Sequence, residues 1–260
     1  MNNVIRLLLG FLVGGVCVAA TTIIAERHGS RLGGFIGGLP STLAIALLFV
    51  ALTGGKDLAI QAAGISPLAF GISGLFVLMF VALSRYGFFW SMGLSLTAWV
   101  AAQSAIVVHG APTLGFSIVA WGVCFCICWL GFKFGVKVKA QSSSGTSSNF
   151  GDFLIRALAS GVLVTVAAAA SLWGGPVISG VLASLPVVLI CSIFITYHRV
   201  GLSFARAMAR SLVFSAIINC SVFALFFRAT LFHFDILPAF VVAYLATLVV
   251  ALPLYRLNLG

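Results

Sequence analysis

Two prolines stand inside apolar segments of this sequence, Pro40 in GGFIGGLPSTL and Pro186 in ISGVLASLPVV. Proline lacks an amide hydrogen, so within a helix it leaves the carbonyl four residues earlier without its usual donor. Here those carbonyls belong to Ile36 and Leu182, and hydroxyl side chains stand beside each proline. Carbonyls and hydroxyls at an interrupted membrane helix are suited to coordinating a solute. The candidate solute-binding residues of this kind are Ile36, Pro40, Ser41, Thr42, Leu182, Ser184 and Pro186.

The glycines before Pro40 support a second interpretation of the same element. Residues 33–38 read GGFIGG and would let a neighbouring helix approach closely, as small residues do in membrane proteins. On that interpretation the proline makes a packing kink and binds nothing. The two interpretations are compatible, and the sequence leaves both open.

Polar side chains inside apolar segments form a second group of candidates. Ser211, Ser215 and Asn219 recur every four residues, which places them on one helix face. Such groups face the protein interior or a cavity, where they contact solute or hydrogen-bond between helices. The candidates of this group, with Ser73 aligned to Asn219, are Ser73, Ser91, Ser95, Gln103 and Asn219.

Carboxylates are absent from the centres of the apolar segments. All four, Glu26, Asp57, Asp152 and Asp235, fall at predicted helix ends. Proton-coupled transporters usually place an acid within the membrane, so coupling through a buried carboxylate is disfavoured. The pattern favours a neutral or weakly charged solute.

Cys124, Cys126 and Cys128 offer thiolates, which select Cu(I) and zinc. On a helix only Cys124 and Cys128 share a face, and no histidine stands near them, so we expect neither a metal site nor another cofactor. The chain also lacks a nucleophile elbow, a phosphate-binding loop and a metalloprotease motif. We therefore expect that it is not an enzyme.

The composition is that of a membrane protein. Hydrophobic residues make up 62% of the chain and charged residues only 7%, against about 25% charged in soluble domains. Mean hydropathy is +1.23. The net charge of +10 lies in short loops, where it indicates membrane topology and not nucleic-acid binding. The expected surroundings are a lipid bilayer, with a homo-oligomer possible.

Since about 20 apolar residues cross a bilayer as a helix, the sequence predicts an all-α integral membrane protein of about nine transmembrane helices. The predicted spans are 4–25, 33–53, 67–84, 88–108, 113–132, 153–172, 176–197, 211–228 and 236–255. Residues 1–110 and 152–260 form two four-helix repeats. Residues 111–151 supply a linker helix and a Ser-rich cytoplasmic loop.

The two repeats align when Pro40 is set over Pro186, and a one-residue slip then places Trp99 beside Tyr244. A single linker helix makes the second repeat start from the opposite side of the membrane, so we expect inverted repeats. With the N-terminus outside and the C-terminus cytoplasmic, the outer side holds only Arg6, Lys56 and Arg228 among lysines and arginines. The positive-inside rule favours that orientation in a bacterial inner membrane.

The second repeat resembles the GlpM family of small bacterial inner-membrane proteins. The resemblance lies in GVLASLPVVLICSIFITYHRVGLSFARAMARSL followed by LPAFVVAYLATLVVAL, and it covers about residues 155–255 and, more weakly, 5–108. It implies four helices per copy and an association with export of an acidic exopolysaccharide. The first copy departs from the pattern, with Gly-Gly-Lys-Asp in place of the basic connection.

The sequence therefore favours a small-solute secondary transporter that works by alternating access around a site between inverted repeats. The alternative is a non-transporting accessory subunit that supports exopolysaccharide or lipid assembly or export, as the GlpM resemblance implies. A passive channel ranks third, because the few polar positions hardly supply a continuous pore.

Overall fold

Helices make up nearly all of the part that the computed structural model describes, which comprises residues 3–27, 39–110, 112–136 and 150–256. A 3-10 turn, Ser84–Tyr86, follows the third helix, and a π-helical turn, Gly131–Gly135, follows the fifth. The α-helices are α1 (Asn3–Arg27), α2 (Ser41–Gly54), α3 (Lys56–Leu83), α4 (Phe88–His109), α5 (Leu114–Leu130), α6 (Phe150–Trp173), α7 (Gly175–Ala183), α8 (Val187–Val200), α9 (Leu202–Leu231) and α10 (Ile236–Arg256).

Within the described ranges, five helical segments are long and apolar enough to cross a membrane. These are Lys56–Tyr86, Phe88–His109, Leu114–Gly135, Phe150–Trp173 and Leu202–Leu231. Four further apolar helices are shorter: Val4–Cys17, Ser41–Gly54, Leu189–Val200 and Ile236–Leu252. The chain is thus a helical membrane protein.

The same local backbone precedes α2 and α8. Pro40 has φ −77° and ψ 36°, and Pro186 has φ −80° and ψ 51°. Across Pro40 the Ser41 amide donates to the Leu39 carbonyl at 2.8 Å, and the equivalent bond across Pro186 is also 2.8 Å. Both are inverse γ-turns, which the fixed φ of proline favours. Each turn directly precedes the first residue of a helix, α2 or α8.

α2 and α8 also end alike. Gly55 and Gly201 follow them with φ of 92° and 105°, a left-handed region that glycine adopts without steric cost. Each glycine is followed at once by the next long helix, α3 or α9. Two short helices therefore run from a proline turn to a glycine at equivalent positions in the two halves of the chain.

Two of the predicted spans begin later in the sequence than the observed helices do. The span predicted at 67–84 starts at Lys56, with Pro67 inside α3, and the span predicted at 211–228 starts at Leu202. The polar residues at these helix starts resemble a loop in the sequence. They are helical because a single glycine makes the whole connection and the helix resumes immediately.

The span predicted at 176–197 is two helices, α7 and α8, separated by Ser184–Pro186. Pro186 thus divides this predicted span into two separate helices. Its counterpart, predicted at 33–53, is described only from residue 39 onward, and its helix begins at Ser41.

α1 and α6 pack against each other in antiparallel orientation. A Cβ atom placed on Gly15 would lie 2.6 Å from the Ala157 carbonyl oxygen, and one on Gly161 would lie 2.7 Å from the Phe11 carbonyl oxygen. Under the alignment of Pro40 with Pro186, Gly15 matches Gly161 and Phe11 matches Ala157. The same contact therefore occurs twice with the two helices exchanged, as in an isologous interface.

α3 and α9 also cross in antiparallel orientation. Arg228, near the end of α9, donates to the carbonyl of Ile60 near the start of α3. Further along α3, Gly74 lies against the side chain of Ile217, which comes earlier in α9. Gly74 has no side chain, which allows this close approach of the two helices.

The two largest hydrophobic clusters combine helices from both halves of the chain. Leu47 of α2 shares one cluster with Phe223 of α9, and Ile193 of α8 shares the other with Phe80 of α3. The short helix α2 thus shares a core with the long helix α9 of the other half, and the short helix α8 shares a core with the long helix α3. This arrangement places the two proline turns inside the protein and not at its surface.

Candidate functional site

The interruption between α7 and α8 leaves fewer free backbone groups than the sequence indicates. The Leu182 carbonyl accepts from the amide of Leu185 at 3.1 Å, because the chain tightens into a last turn before Pro186. The expectation that Leu182 presents an unpartnered carbonyl is therefore wrong. Ser184 is fully buried, and its hydroxyl donates to the Gly180 carbonyl at 2.8 Å.

Hydrogen bonds connect this interruption to α3 and α4. The Ser73 hydroxyl donates to the Ala69 carbonyl at 2.9 Å and lies 3.5 Å from the Ser184 carbonyl oxygen. It accepts from the indole Nε1 of Trp99 at 3.0 Å. Gln103 Nε2 donates to the same Ala69 carbonyl at 3.1 Å. Three predicted residues, Ser73, Gln103 and Ser184, thus meet in one buried polar network.

Trp99 belongs to this network although the sequence interpretation gave it no binding role. The indole is only 5% exposed and donates its N–H, as buried tryptophans usually do. The signal was its spacing, since Trp99 stands one helical turn from both Ser95 and Gln103.

These residues lie on a polar stripe of α4, which we define as Ser91, Ser95, Trp99 and Gln103. All four are between 0% and 5% exposed. The Ser91 hydroxyl is satisfied within its own helix by the Gly87 and Phe88 carbonyls, at 2.8 and 2.9 Å. The hydroxyl of Ser95 and the Oε1 atom of Gln103 are buried and have no hydrogen-bond partner within the described ranges.

α10 presents a different face. Its buried stripe is Ala239, Ala243, Thr247 and Ala251. α9 is two residues longer than α3, 30 against 28, and four residues follow each of these helices before α4 or α10 begins, so Phe88 corresponds to Ile236. The structure therefore matches Trp99 with Thr247, and the predicted pairing with Tyr244 is wrong.

The first proline turn carries two predicted hydroxyls. Ser41 and Thr42 are each 9% exposed in the first turn of α2, and Thr42 Oγ1 has no hydrogen-bond partner in the described part of the chain. Pro40 itself is buried. Ile36 lies outside the described residues, so its carbonyl has no structural account.

Asn219 lies on the other long helix, α9, and is 1% exposed. Its Nδ2 donates to the Ser215 hydroxyl at 3.0 Å, one turn earlier, as the spacing predicts. The side chain of Ser211 lies outside the described residues. Asn219 therefore makes a polar contact within its own helix.

Charged side chains lie away from the network. Asp152 and Arg199 form an ion pair at 2.6 Å between the start of α6 and the end of α8. Asp152 is 9% exposed and Arg156 2%, so both groups are buried near the start of α6. α4 contains no aspartate, glutamate, lysine or arginine. The polar network is electrically neutral.

The cysteines of α5 fill space against α3. Sγ of Cys128 lies 3.1 Å from the position of a Cβ on Gly74, and Cβ of Cys124 lies 3.0 Å from that of Gly71. Within the described ranges, no group of three histidine, cysteine, aspartate or glutamate residues is placed to hold a metal ion.

Comparison with known proteins yields no match: neither a protein-family model nor a curated protein nor a solved structure matches this chain.

Proposed function

We propose that the chain is a secondary transporter of small solutes, built from two inverted four-helix repeats, 1–110 and 152–260, that α5 and the following loop join. Three features support the inversion. The proline and glycine turns recur at equivalent positions, α1 and α6 pack antiparallel through a twice-repeated contact, and α3 and α9 are also antiparallel. Inverted repeats usually hold solute where interrupted helices meet.

The proposed location is a bacterial inner membrane, crossed about nine times with the N-terminus outside and the C-terminus cytoplasmic. The distribution of lysines and arginines supports this orientation. Arg6 donates to the Leu52 carbonyl at the end of α2, and Arg228 reaches the Ile60 carbonyl just beyond. Two arginines assigned to the outer side thus gather at one end of the molecule.

The polar network at the Pro186 interruption carries the proposal. It joins a broken helix of the second repeat, through the Ser184 carbonyl, to Ser73, Trp99 and Gln103 of the first. Alternating access requires the repeats to move relative to each other, which breaks and remakes contacts of this kind. A solute bound among these groups would replace the hydrogen bonds lost in the movement.

Uptake into proteoliposomes tests this function. The purified chain is given radiolabelled sugars, polyols, amides, amino acids and organic acids, with empty liposomes as the blank. We expect uptake of at least one class, and a fall of about tenfold in Ser73→Ala and Trp99→Phe, since each change removes a hydrogen bond of the network. Thr97→Ala is the matched control, because that hydroxyl lies on the exposed face of α4.

Uptake of no class by folded protein would contradict the proposal. If the chain then also co-purified with another membrane protein, the accessory role implied by the GlpM resemblance would replace it.

A further inference from the structure

We propose that Ser95 and Gln103 form a subsite for a neutral solute bearing several O–H or N–H donors, a small polyol or amide. This inference rests on the proposed transport function and specifies the solute. It starts from the difference between the polar stripe of α4 and the alanine-rich stripe of α10.

Helix packing alone does not require the polar stripe. α10 holds the equivalent place in the second half with small side chains, and the one hydroxyl in its stripe, Thr247, is satisfied by the Ala243 carbonyl at 2.7 Å. A buried polar atom without a partner costs about 1–3 kcal/mol, so native proteins contain few. α4 contains two on one face, the Ser95 hydroxyl and Gln103 Oε1.

Both atoms can accept a hydrogen bond, so a ligand that satisfies them must carry hydrogen-bond donors. Gln103 Nε2 is engaged by the Ala69 carbonyl, so Oε1 is the atom left for a ligand. The Ser95 hydroxyl both donates and accepts. Since the two residues stand two helical turns apart, about 12 Å along α4, one small solute would satisfy one of them at a time, and two bound in line would satisfy both.

Charge narrows the class further. From Leu58 to Leu83 and throughout α4 the chain carries no aspartate, glutamate, lysine or arginine. An ion placed there would find no counter-charge on α3 or α4. Arg228 of α9 reaches α3 at Ile60 and Gly64, but its guanidinium already donates to the Ile60 carbonyl. Burying an unpaired charge is far more costly than burying a hydrogen-bonded neutral group. A neutral donor-bearing solute fits, whereas a carboxylate or an ammonium does not.

Uptake kinetics with four probes test the inference: radiolabelled erythritol and urea as the polyol and amide, and lactate and lysine as charged solutes. The variants are Ser95→Ala and Gln103→Leu. Ser91→Ala is the matched control, an equally buried serine one turn away with a satisfied hydroxyl, and Thr247→Val is the control in α10.

We expect uptake of erythritol or urea, with the half-saturating concentration raised about fivefold in Ser95→Ala and Gln103→Leu and changed by less than about twofold in both controls. The apparent Tm of Ser95→Ala should be unchanged or higher, because the change removes an unsatisfied buried hydroxyl. A purely structural serine would instead lower Tm and leave half-saturation alone.

Two results overturn the inference and leave the transport function standing: uptake of the charged probes only, or wild-type half-saturation for erythritol and urea in both variants. Absence of uptake for all four probes, and for the wider panel above, would overturn both proposals together.

Discussion

The two proline turns have nearly the same backbone and different surroundings. Pro40 and Pro186 make the same inverse γ-turn, and Gly55 and Gly201 end the helices that follow. Yet α4, which contacts α7, presents serine, tryptophan and glutamine, whereas α10, which contacts α2, presents alanine and threonine. The backbone elements fix where each helix breaks. The side chains of α4 and α10 then decide which proline turn has polar surroundings.

The helix ends differ in the same way. At matching positions, Arg6 donates to a backbone carbonyl in the first half, and Asp152 pairs with Arg199 in the second. Thr53, which aligns with Arg199, instead meets the Ser171 hydroxyl at 2.7 Å. One end is held by hydrogen bonds to neutral groups and the other by an ion pair.

The largest expected effect tests whether the two halves make equivalent contacts between α1 and α6. Gly15→Ala and Gly161→Ala each place a methyl group under 3 Å from a backbone carbonyl oxygen. We expect each to destabilise the fold by about 2 kcal/mol, and by similar amounts, because the contacts are equivalent. Apparent Tm in detergent measures this. Gly93→Ala is the control, since a Cβ there meets nothing within 4 Å; clearly unequal losses would break the equivalence.

An effect of intermediate size distinguishes the two proline turns. Pro40→Ala and Pro186→Ala each free φ and should cost about 1 kcal/mol of stability alike. Uptake should fall more in Pro186→Ala, because only that turn adjoins the network of Ser73 and Trp99. Proteoliposome uptake beside apparent Tm gives both quantities. Equal uptake losses would mean that the polar surroundings of Pro186 do not matter.

The smallest effect concerns the helix ends. Arg199→Gln should lower stability by about 0.5 kcal/mol, since the Arg199 side chain, unlike that of Asp152, is 30% exposed to solvent. The loss should shrink as salt is raised, because ions screen exposed charge pairs. Thr53→Val, the matched change in the first half, should show no salt dependence. Salt-dependent apparent Tm for Thr53→Val would contradict the distinction between the ends.

Local features were predictable from sequence. Proline and glycine act within a few residues of themselves, so the turns at Pro40 and Pro186 follow from residue type alone. Gln103 and Ser73 were identifiable as buried polar residues, since such groups avoid lipid.

Long-range features were not predictable in the same way. The bond from Trp99 to Ser73 depends on how α4 rotates against α3, which spacing within one helix does not determine. The register of α10 depends on the length of α9, which is 30 residues against 28 in α3, and an alignment of the two halves without gaps does not include this difference. The Leu182 carbonyl was misjudged because a tightening last turn supplies a donor from Leu185, three residues later.

Membrane-impermeant thiol labelling of Asp57→Cys and Ser203→Cys, each in a cysteine-free background, tests the inverted repeats most directly. These residues are exposed and occupy matching positions in the first turns of α3 and α9. We predict that Asp57→Cys labels in intact cells and that Ser203→Cys labels only after the membrane is permeabilised. Labelling of both from the same side would contradict the inversion, and with it the transport mechanism proposed for this chain.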